Sequence, residues 1–148
     1  MGLRNIILED LNLLRRKSKE VLEFDAKLNV LLDDMKETLN YKRNAVGLAA
    51  PQIGVLRRVV VIDVGEGVIE LVNPEIVETK GEQIGLEGCL SFPERFENVK
   101  RPSFVKVKAF NRKGLEFVVE GQGLLARALC HEIDHLNGIV FLDVAQQG

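Results

Sequence analysis

The sequence predicts an α+β domain: an N-terminal helix, several short, mostly antiparallel strands, and a C-terminal helix that carries the letters HEIDH. Apolar residues recur every three or four positions near both ends of the chain, which is typical of helices with one buried face. Between them, short apolar or alternating runs are separated by turn residues, which is typical of strands. No repeat or linker interrupts the 148 residues, so we expect one domain over 1–148 with a substantial core.

The composition excludes several classes of protein. Twenty basic and 22 acidic residues leave a net charge of −2, so neither a nucleic-acid groove nor a basic membrane-binding face is expected. Apolar runs such as RRVVVIDV (57–64) are too short to cross a bilayer, and the first residues lack the apolar core of a signal peptide. We therefore expect a cytoplasmic protein. In that reducing compartment, at least one of the two cysteines is expected to have a metal or catalytic role.

The first long helix is predicted over 25–43. Asp25 suits the N-cap position. The segment has one apolar face, formed by Leu28, Leu31, Leu32, Met35 and Leu39. The glycines and proline of NAVGLAAPQIG (44–54) then predict a loop.

Four strands are predicted in the middle of the chain. The runs 57–64 and 69–78 are rich in β-branched residues, and 104–111 alternates apolar with polar residues. The letters NRKG (111–114) form a turn into 115–121, so the last two strands make a hairpin.

The last helix is predicted over 123–136, with Asn137 and Gly138 as a left-handed C-terminal cap. At about 100° per residue, a broad apolar stripe faces the core, formed by Leu125, Leu129, Ile133 and Leu136. A second, narrow stripe is formed by Leu124, Ala128, His131 and His135. Glu132 flanks the histidines, and Arg127 and Asp134 share the remaining polar edge. Two histidines four residues apart on one face can hold one metal ion, so this stripe predicts a metal site with a pocket beside it.

A catalytic metal normally has three protein ligands, and the chain contains no third histidine. Zinc proteases share the H-E-x-x-H pattern, but their third ligand lies downstream, where Asp143 is the sole acid here. Cys130 points about 100° away from His131 on the helix. Cys89, in LEGCLSFPE (86–94), is the strongest candidate because a thiolate is a good soft ligand. The alternative for Cys89 is an inert buried thiol.

Three segments resemble, in this order, the three signature motifs of peptide deformylase: GLAAPQIG (47–54), EGCLS (87–91) and HEIDHLNG (131–138). The resemblance covers essentially the whole chain. It implies metal-dependent hydrolysis of the N-formyl group from the N-terminal formylmethionine of newly made polypeptides, with release of formate. It also implies one divalent metal ion, Fe(II) in the cell, although Zn(II), Ni(II) and Co(II) suit the same ligands. Those ligands are Cys89, His131 and His135.

The resemblance also implies the roles of the neighbouring residues. Three ligands leave one position open for water, whose pKa the metal lowers. Glu132 is then the general base and afterwards the general acid. The side-chain amide of Gln52 and the backbone N–H of Leu90 stabilise the oxyanion of the tetrahedral intermediate.

An apolar pocket is expected for the methionine side chain. From the histidine stripe we expect Leu124 and Ala128 to form part of its wall, and the resemblance adds Val46 and Gly47. The substrate backbone is expected to pair in strand fashion around Val46-Gly47 and Gly88. The alternative for the apolar wall residues is ordinary core packing.

Other residues bear on support of the site and on partners. Glu87 and Arg101 are expected to form an ion pair that braces the cysteine segment and the helix. Ala45 stands where the first motif usually has a glycine, which restricts the dihedral angles there. Family members often carry a longer C-terminal extension, in some cases a basic helix that docks on the ribosome, whereas FLDVAQQG (141–148) has no Lys or Arg. The expected partners are N-formylmethionyl nascent polypeptides met in transient ribosome proximity, with no nucleic acid and no membrane.

Three alternative functions follow from the same motifs. A zinc protease would need a third ligand other than Cys89. A non-catalytic, metal-stabilised domain would need four protein ligands, with Cys130 or an acid reaching the ion. A deformylase-like hydrolase could act on another formylated amine. The substitution Glu132→Gln separates an enzyme from a structural module, because only the enzyme loses activity while keeping its metal.

Overall fold

A helix packs on each face of an antiparallel sheet in the computed structural model of the chain, which describes residues 2–42 and 45–145. The helices are α1 (Leu11–Leu14), α2 (Ala26–Tyr41) and α3 (Gly123–Leu136). The strands are β1 (Gly47–Ala49), β2 (Val59–Ile62), β3 (Ile69–Lys80), β4 (Gln83–Cys89), β5 (Phe92–Arg101), β6 (Phe104–Phe110) and β7 (Glu116–Gln122). Short 3-10 helices follow β1 and α3, at Ala50–Ile53 and Phe141–Val144.

Five strands form the main sheet in the order β1-β2-β3-β6-β7, with every neighbouring pair antiparallel. Strands β4 and β5 form a separate two-stranded hairpin, to which Ala145 adds one isolated antiparallel bridge at Val99. This arrangement confirms the predicted α+β class with mostly antiparallel strands.

Strand β2 explains why a continuous apolar run is stable in this sheet. All four of its residues are fully buried, because successive side chains point to opposite faces and both faces are covered. Val59 and Val61 pack with the apolar face of α2, whereas Val60 and Ile62 pack with α3. The buried cluster around Val60 and Ile62 includes Leu129, Ile133 and Leu136 of α3, so the helix that bears the histidines packs directly against the sheet.

The ends of the two long helices agree with the sequence-based expectations. Asp25 caps α2, its Oδ1 accepting a hydrogen bond from Leu28 N at 3.0 Å. The helix ends at Tyr41, and the predicted last residue, Arg43, lies outside the described residues. Helix α3 spans the predicted range, and Gly138 behind it has φ +76°. A Cβ on Gly138 would lie 2.3 Å from Arg15 O, so both conformation and space require glycine there.

One expectation about the fold was wrong, and one pair of strands was missed. The predicted loop over 44–54 contains strand β1 and a 3-10 helix, closed by Gly54 at φ +83°. The β4–β5 hairpin was not predicted at all, because β5 lacks a two-residue apolar alternation. Six consecutive residues of β5, 93–98, are exposed. No helix in the described part of the chain is long and apolar enough to cross a membrane.

Candidate active site

Helix α3 carries His131 and His135 on one side, and its apolar stripe is buried in the core. Leu129 and Leu136 are fully buried, and His135 is itself 0% exposed. Burial, with His131 and Arg101 nearby, holds the pKa of His135 well below its usual range. This imidazole is therefore neutral and has a lone pair to offer a metal.

Cys89 reaches the histidines from the end of β4. Leu90 and Ser91 form a two-residue turn, so Cys89 pairs directly with Phe92 at the tip of the hairpin. Its Sγ lies 3.4 Å from Nε2 of His135. The donor atoms of Cys89, His131 and His135 all lie within 4.8 Å of one another, which is close enough for one ion to contact all three.

The donor set fits a divalent transition metal. A thiolate with two imidazoles suits Zn(II), Fe(II), Ni(II) or Co(II), and three protein ligands leave a position open. Within 2–42 and 45–145, these three residues make the one group of His, Cys, Asp and Glu donors that could hold an ion. Cys130 is buried and its burial raises the pKa of its thiol to about 11, so it is an inert core thiol. Asp143 instead accepts hydrogen bonds from Arg15 Nη2 at 2.7 Å and Val140 N at 3.1 Å.

Glu87 joins the hairpin to the helix beneath the donors. Its Oε1 lies 2.8 Å from Nδ1 of His131, which leaves the other ring nitrogen for a metal. Arg101 donates to both oxygens of Glu87, at 2.8 and 2.9 Å, and Arg127 Nη1 donates to Oε2 at 2.7 Å. A third Arg101 nitrogen bonds Asp134 at 2.7 Å. The structure thus contains the expected Glu87–Arg101 ion pair within a larger buried network.

This network sets the charges around His131. Burial opposes ionisation of Glu87, but Arg101 and His131 outweigh it and lower the pKa of Glu87 to about 2. Burial likewise opposes charging of His131, but Cys89, Glu132 and Glu87 raise the pKa of His131 to about 10. A metal and a proton therefore compete for the same imidazole, and the anionic surroundings favour either cation.

Glu132 lies against the backbone of β1. A Cβ on Gly47 would be 2.6 Å from Oε2 of Glu132, so only glycine leaves room for the carboxylate. The other oxygen, Oε1, is buried and has no hydrogen-bond partner among the described residues. Burial raises the pKa of Glu132 to about 7, whereas a cation at the neighbouring donors would favour its carboxylate form. A carboxylate that titrates near neutrality can exchange a proton with a ligand.

Gln52 is held in one orientation by its neighbours. Ala49 N donates to Oε1 of Gln52 at 3.0 Å, which identifies the other end of the amide as the donor. Nε2 lies 3.4 Å from Cys89 Sγ and 3.3 Å from Ser91 Oγ. The amide thus points its N–H groups at the cysteine turn that contains Leu90.

A cleft of about 700 Å³ opens beside these residues. All the predicted substrate-contacting residues line it: Val46, Gly47, Gly88, Leu124 and Ala128. Leu124 is 52% exposed, so a role as ordinary core residue does not describe it. Ala45 also borders the cleft, and its N donates to Lys42 O at 3.1 Å.

Sequence reasoning missed several residues that border the cleft. Ile6 and Leu8 belong to the N-terminal segment 2–10, which we call the N-terminal strap. Its backbone donates two hydrogen bonds to the site: Ile7 N to Gln52 O at 2.7 Å, and Glu9 N to Ser91 O at 2.8 Å. Arg127, expected on a polar edge, is 8% exposed and lies in the cleft wall. Its spacing of four residues from His131 could have placed it on the site side of the helix.

Comparison with known proteins decides the family. The family model described as polypeptide deformylase matches residues 3–148. The chain belongs to the polypeptide deformylase family. It is therefore a hydrolase that removes the N-formyl group from newly made polypeptides, as the three motifs predicted.

The relatives of this deformylase cover nearly all of its length. It is 55% identical over 143 residues to peptide deformylase 1 of Clostridium acetobutylicum, covering 97% of this chain and 95% of that one. The crystal structure of peptide deformylase from Thermotoga maritima superposes with a TM-score of 0.95 at 39% identity, covering 98% of this chain and 99% of that one. The peptide deformylase of Synechococcus elongatus in complex with actinonin gives a TM-score of 0.93 at 34% identity, covering 99% and 81%.

Proposed function

We propose that this deformylase binds one divalent metal ion through Cys89, His131 and His135 and uses Glu132 to move the proton that hydrolysis requires. The observation that carries this proposal is the convergence of three candidate metal-donor atoms within 4.8 Å, beside a buried carboxylate oxygen that has no partner among the described residues. A bound metal supplies Lewis-acid activation of water and of the formyl carbonyl.

Glu132 is proposed as the group that takes a proton from the attacking water and delivers it to the departing amide nitrogen. The water oxygen then bonds the formyl carbon, the carbon–nitrogen bond breaks, and formate and a free amine result. Oε1, which has no partner among the described residues, can accept that proton, while Gly47 leaves the space that the other oxygen occupies.

Gln52 and Leu90 are proposed to donate hydrogen bonds to the oxyanion. The fixed amide of Gln52 supports this role, because donors that are oriented in advance need no reorganisation during the reaction. Leu90 follows the cysteine ligand in the two-residue turn, so its backbone N–H lies close to the metal donors.

The substrate is proposed to bind as an added strand. Strand β1 is an edge of the main sheet, and its first residue, Gly47, borders the cleft together with Val46 before it and Gly88 of β4. Backbone pairing with Val46-Gly47 and Gly88 would accept any peptide, so selectivity rests on the pocket for the first side chain. Leu124 and Ala128 are proposed to form its apolar wall.

The metal, partners and location are also proposals. Fe(II) in the cell is proposed on the resemblance to the family, and the same ligands accept Zn(II), Ni(II) or Co(II). The protein is proposed to act in the cytoplasm on nascent chains near the ribosome, without binding nucleic acid. The near-balanced charge of −2 supports the last point.

The test is formate release from formyl-Met-Ala-Ser by protein purified without oxygen, with metal content measured on the same sample. We expect about one metal per chain and turnover in the wild type. Glu132→Gln should keep the metal and lose roughly 10²–10⁴-fold in kcat. Cys89→Ala should lose both metal and turnover.

Cys130→Ala is the matched control, because it removes the other thiol from the inert core position and should keep both metal and turnover. A metal-loaded wild type that releases no formate would contradict the proposal and favour another formylated amine as substrate. Unchanged turnover in Glu132→Gln would contradict the role given to Glu132.

A further inference from the structure

Within residues 2–42 and 45–145, the guanidinium of Arg127 bonds protein through one of its three nitrogens. Nη1 donates to Glu87 Oε2 at 2.7 Å, to Val99 O at 3.0 Å and to Gly85 O at 3.2 Å. The group lies flat against β4, where a Cβ on Gly85 would be 2.9 Å from Nη2. Glycine at that position therefore makes the space that the guanidinium occupies.

The other two nitrogens, Nε and Nη2, have no protein acceptor among the described residues. Neither is a fully buried atom without a partner, so both reach solvent. Arg127 lines the cleft together with Leu124, Ala128 and His131, which all lie within four residues of it on the same helix. The part of the cleft wall next to the apolar side chains of Leu124 and Ala128 thus carries a guanidinium with N–H groups that are free to donate.

We propose that Arg127 determines specificity by letting the pocket accept a first side chain of methionine's length that ends in a hydrogen-bond acceptor. N-formylmethionine sulfoxide is the substrate of this kind that differs from formylmethionine by a single oxygen. The proposal rests on the assignment of Leu124 and Ala128 to the methionine pocket. The reaction is unchanged: hydrolysis of the formyl amide yields formate and a peptide that begins with methionine sulfoxide.

The physical reason is the cost of removing a polar group from water. A sulfoxide oxygen is a strong acceptor, and a wholly apolar pocket would remove its water without replacing the hydrogen bonds. A charged donor in the wall replaces them. The thioether of methionine is only a weak acceptor, and the methylene of norleucine accepts nothing.

The experiment compares kcat/KM for formyl-Met-Ala-Ser, formyl-norleucine-Ala-Ser and the two separated sulfoxide epimers of the first peptide. The quantity of interest is the ratio of sulfoxide to norleucine, which does not depend on the fraction of active enzyme. In the wild type we expect at least one epimer within about tenfold of norleucine. In Arg127→Met this ratio should fall by about tenfold or more, as expected for loss of a hydrogen bond from a charged donor.

Arg101→Met is the matched control. It removes the other guanidinium from Glu87, but Arg101 does not border the cleft, so the ratio should stay within about twofold of wild type even if turnover falls. An equal fall in both variants would show that the effect passes through Glu87 and would overturn the proposal.

Two further results would overturn it. One is an unchanged ratio in Arg127→Met, and the other is a wild type that discriminates against both epimers by more than about a hundredfold relative to norleucine. Failure of the wild type on formyl-Met-Ala-Ser itself is a different outcome, because it contradicts the proposed function along with this specificity.

Discussion

The two elements that supply the proposed metal donors are held in place by different forces. Helix α3 buries ten of its residues, most of them apolar, against the sheet. The β4–β5 hairpin buries only four residues of its strands, and two of these, Glu87 and Arg101, are charged. Phe92 and Val99 are its apolar anchors. The helix is thus positioned mainly by apolar contacts, whereas the hairpin combines two apolar anchors with a buried ion network.

This difference indicates where the site is vulnerable. Apolar packing distributes stability over many contacts, so one deletion weakens the helix without moving its histidines. The hairpin network converges on one carboxylate that bonds two arginines and His131. Loss of that carboxylate leaves two buried cations and an unsupported ligand at once.

The largest effect is expected for Glu87→Ala. Arg127 loses its carboxylate partner and Arg101 retains Asp134 alone, so the free energy of unfolding should fall by about 3–5 kcal/mol. Loss of the partner of His131 should weaken metal affinity by roughly 10–100-fold. Urea unfolding and metal titration measure the two effects. Glu97, exposed and directly opposite in the hairpin, is the control, and Glu97→Ala should stay within about 0.5 kcal/mol of wild type.

Leu129→Ala tests the helix side of the comparison. Removing a fully buried leucine should lower the free energy of unfolding by about 2–5 kcal/mol through lost burial and a cavity. Metal affinity of the folded protein should remain within about threefold of wild type, because neighbouring contacts hold the histidines. A loss of metal as large as that in Glu87→Ala would remove the distinction between helix and hairpin.

Gly47→Ala separates the carboxylate from the metal donors on the same helix. The added methyl would collide with Glu132, which must turn away, while Cys89, His131 and His135 are untouched. We expect kcat to fall by about 10²-fold with full metal content, since misplacement of a reacting group by about 1 Å has an effect of this size. Metal loss alongside turnover would show instead that the substitution disturbs the whole site.

The last prediction concerns how stability depends on pH. Through the ionisation of Glu87, the free energy of unfolding should change little with pH near neutrality and should fall increasingly in acid. The pKa of Glu87 is lowered from 4.5 to about 2 by folding, so its stabilisation is complete above 4.5 and is lost as the pH falls towards 2. Unfolding free energies measured across this range should decline more steeply in the wild type than in Glu87→Gln. Leu129→Ala should retain the slope of the wild type.

The helix half of the site was predictable from the sequence, because the register of α3 follows from its apolar stripe and places both histidines together. Cys89 could be chosen as the third ligand by elimination and by resemblance. The hairpin that carries Cys89 could not be predicted, since β5 exposes six consecutive residues and its few buried ones, Phe92, Val99 and Arg101, form no alternating apolar pattern. Arg127 was predicted to lie on a polar edge of α3, because the partners that bury it are distant in sequence. Its partners Glu87 and Val99 are 40 and 28 residues away, and no local pattern reveals them.

The N-terminal strap ties together two parts of the site that never contact each other through regular strand pairing. Ile7 holds the carbonyl of Gln52, and Glu9 holds that of Ser91. Since these amides are protected only while the strap is docked, their hydrogen-exchange rates report local opening of the site rather than global unfolding. The exchange rates of the Ile7 and Glu9 amides thus measure how often the strap detaches from the cleft in solution.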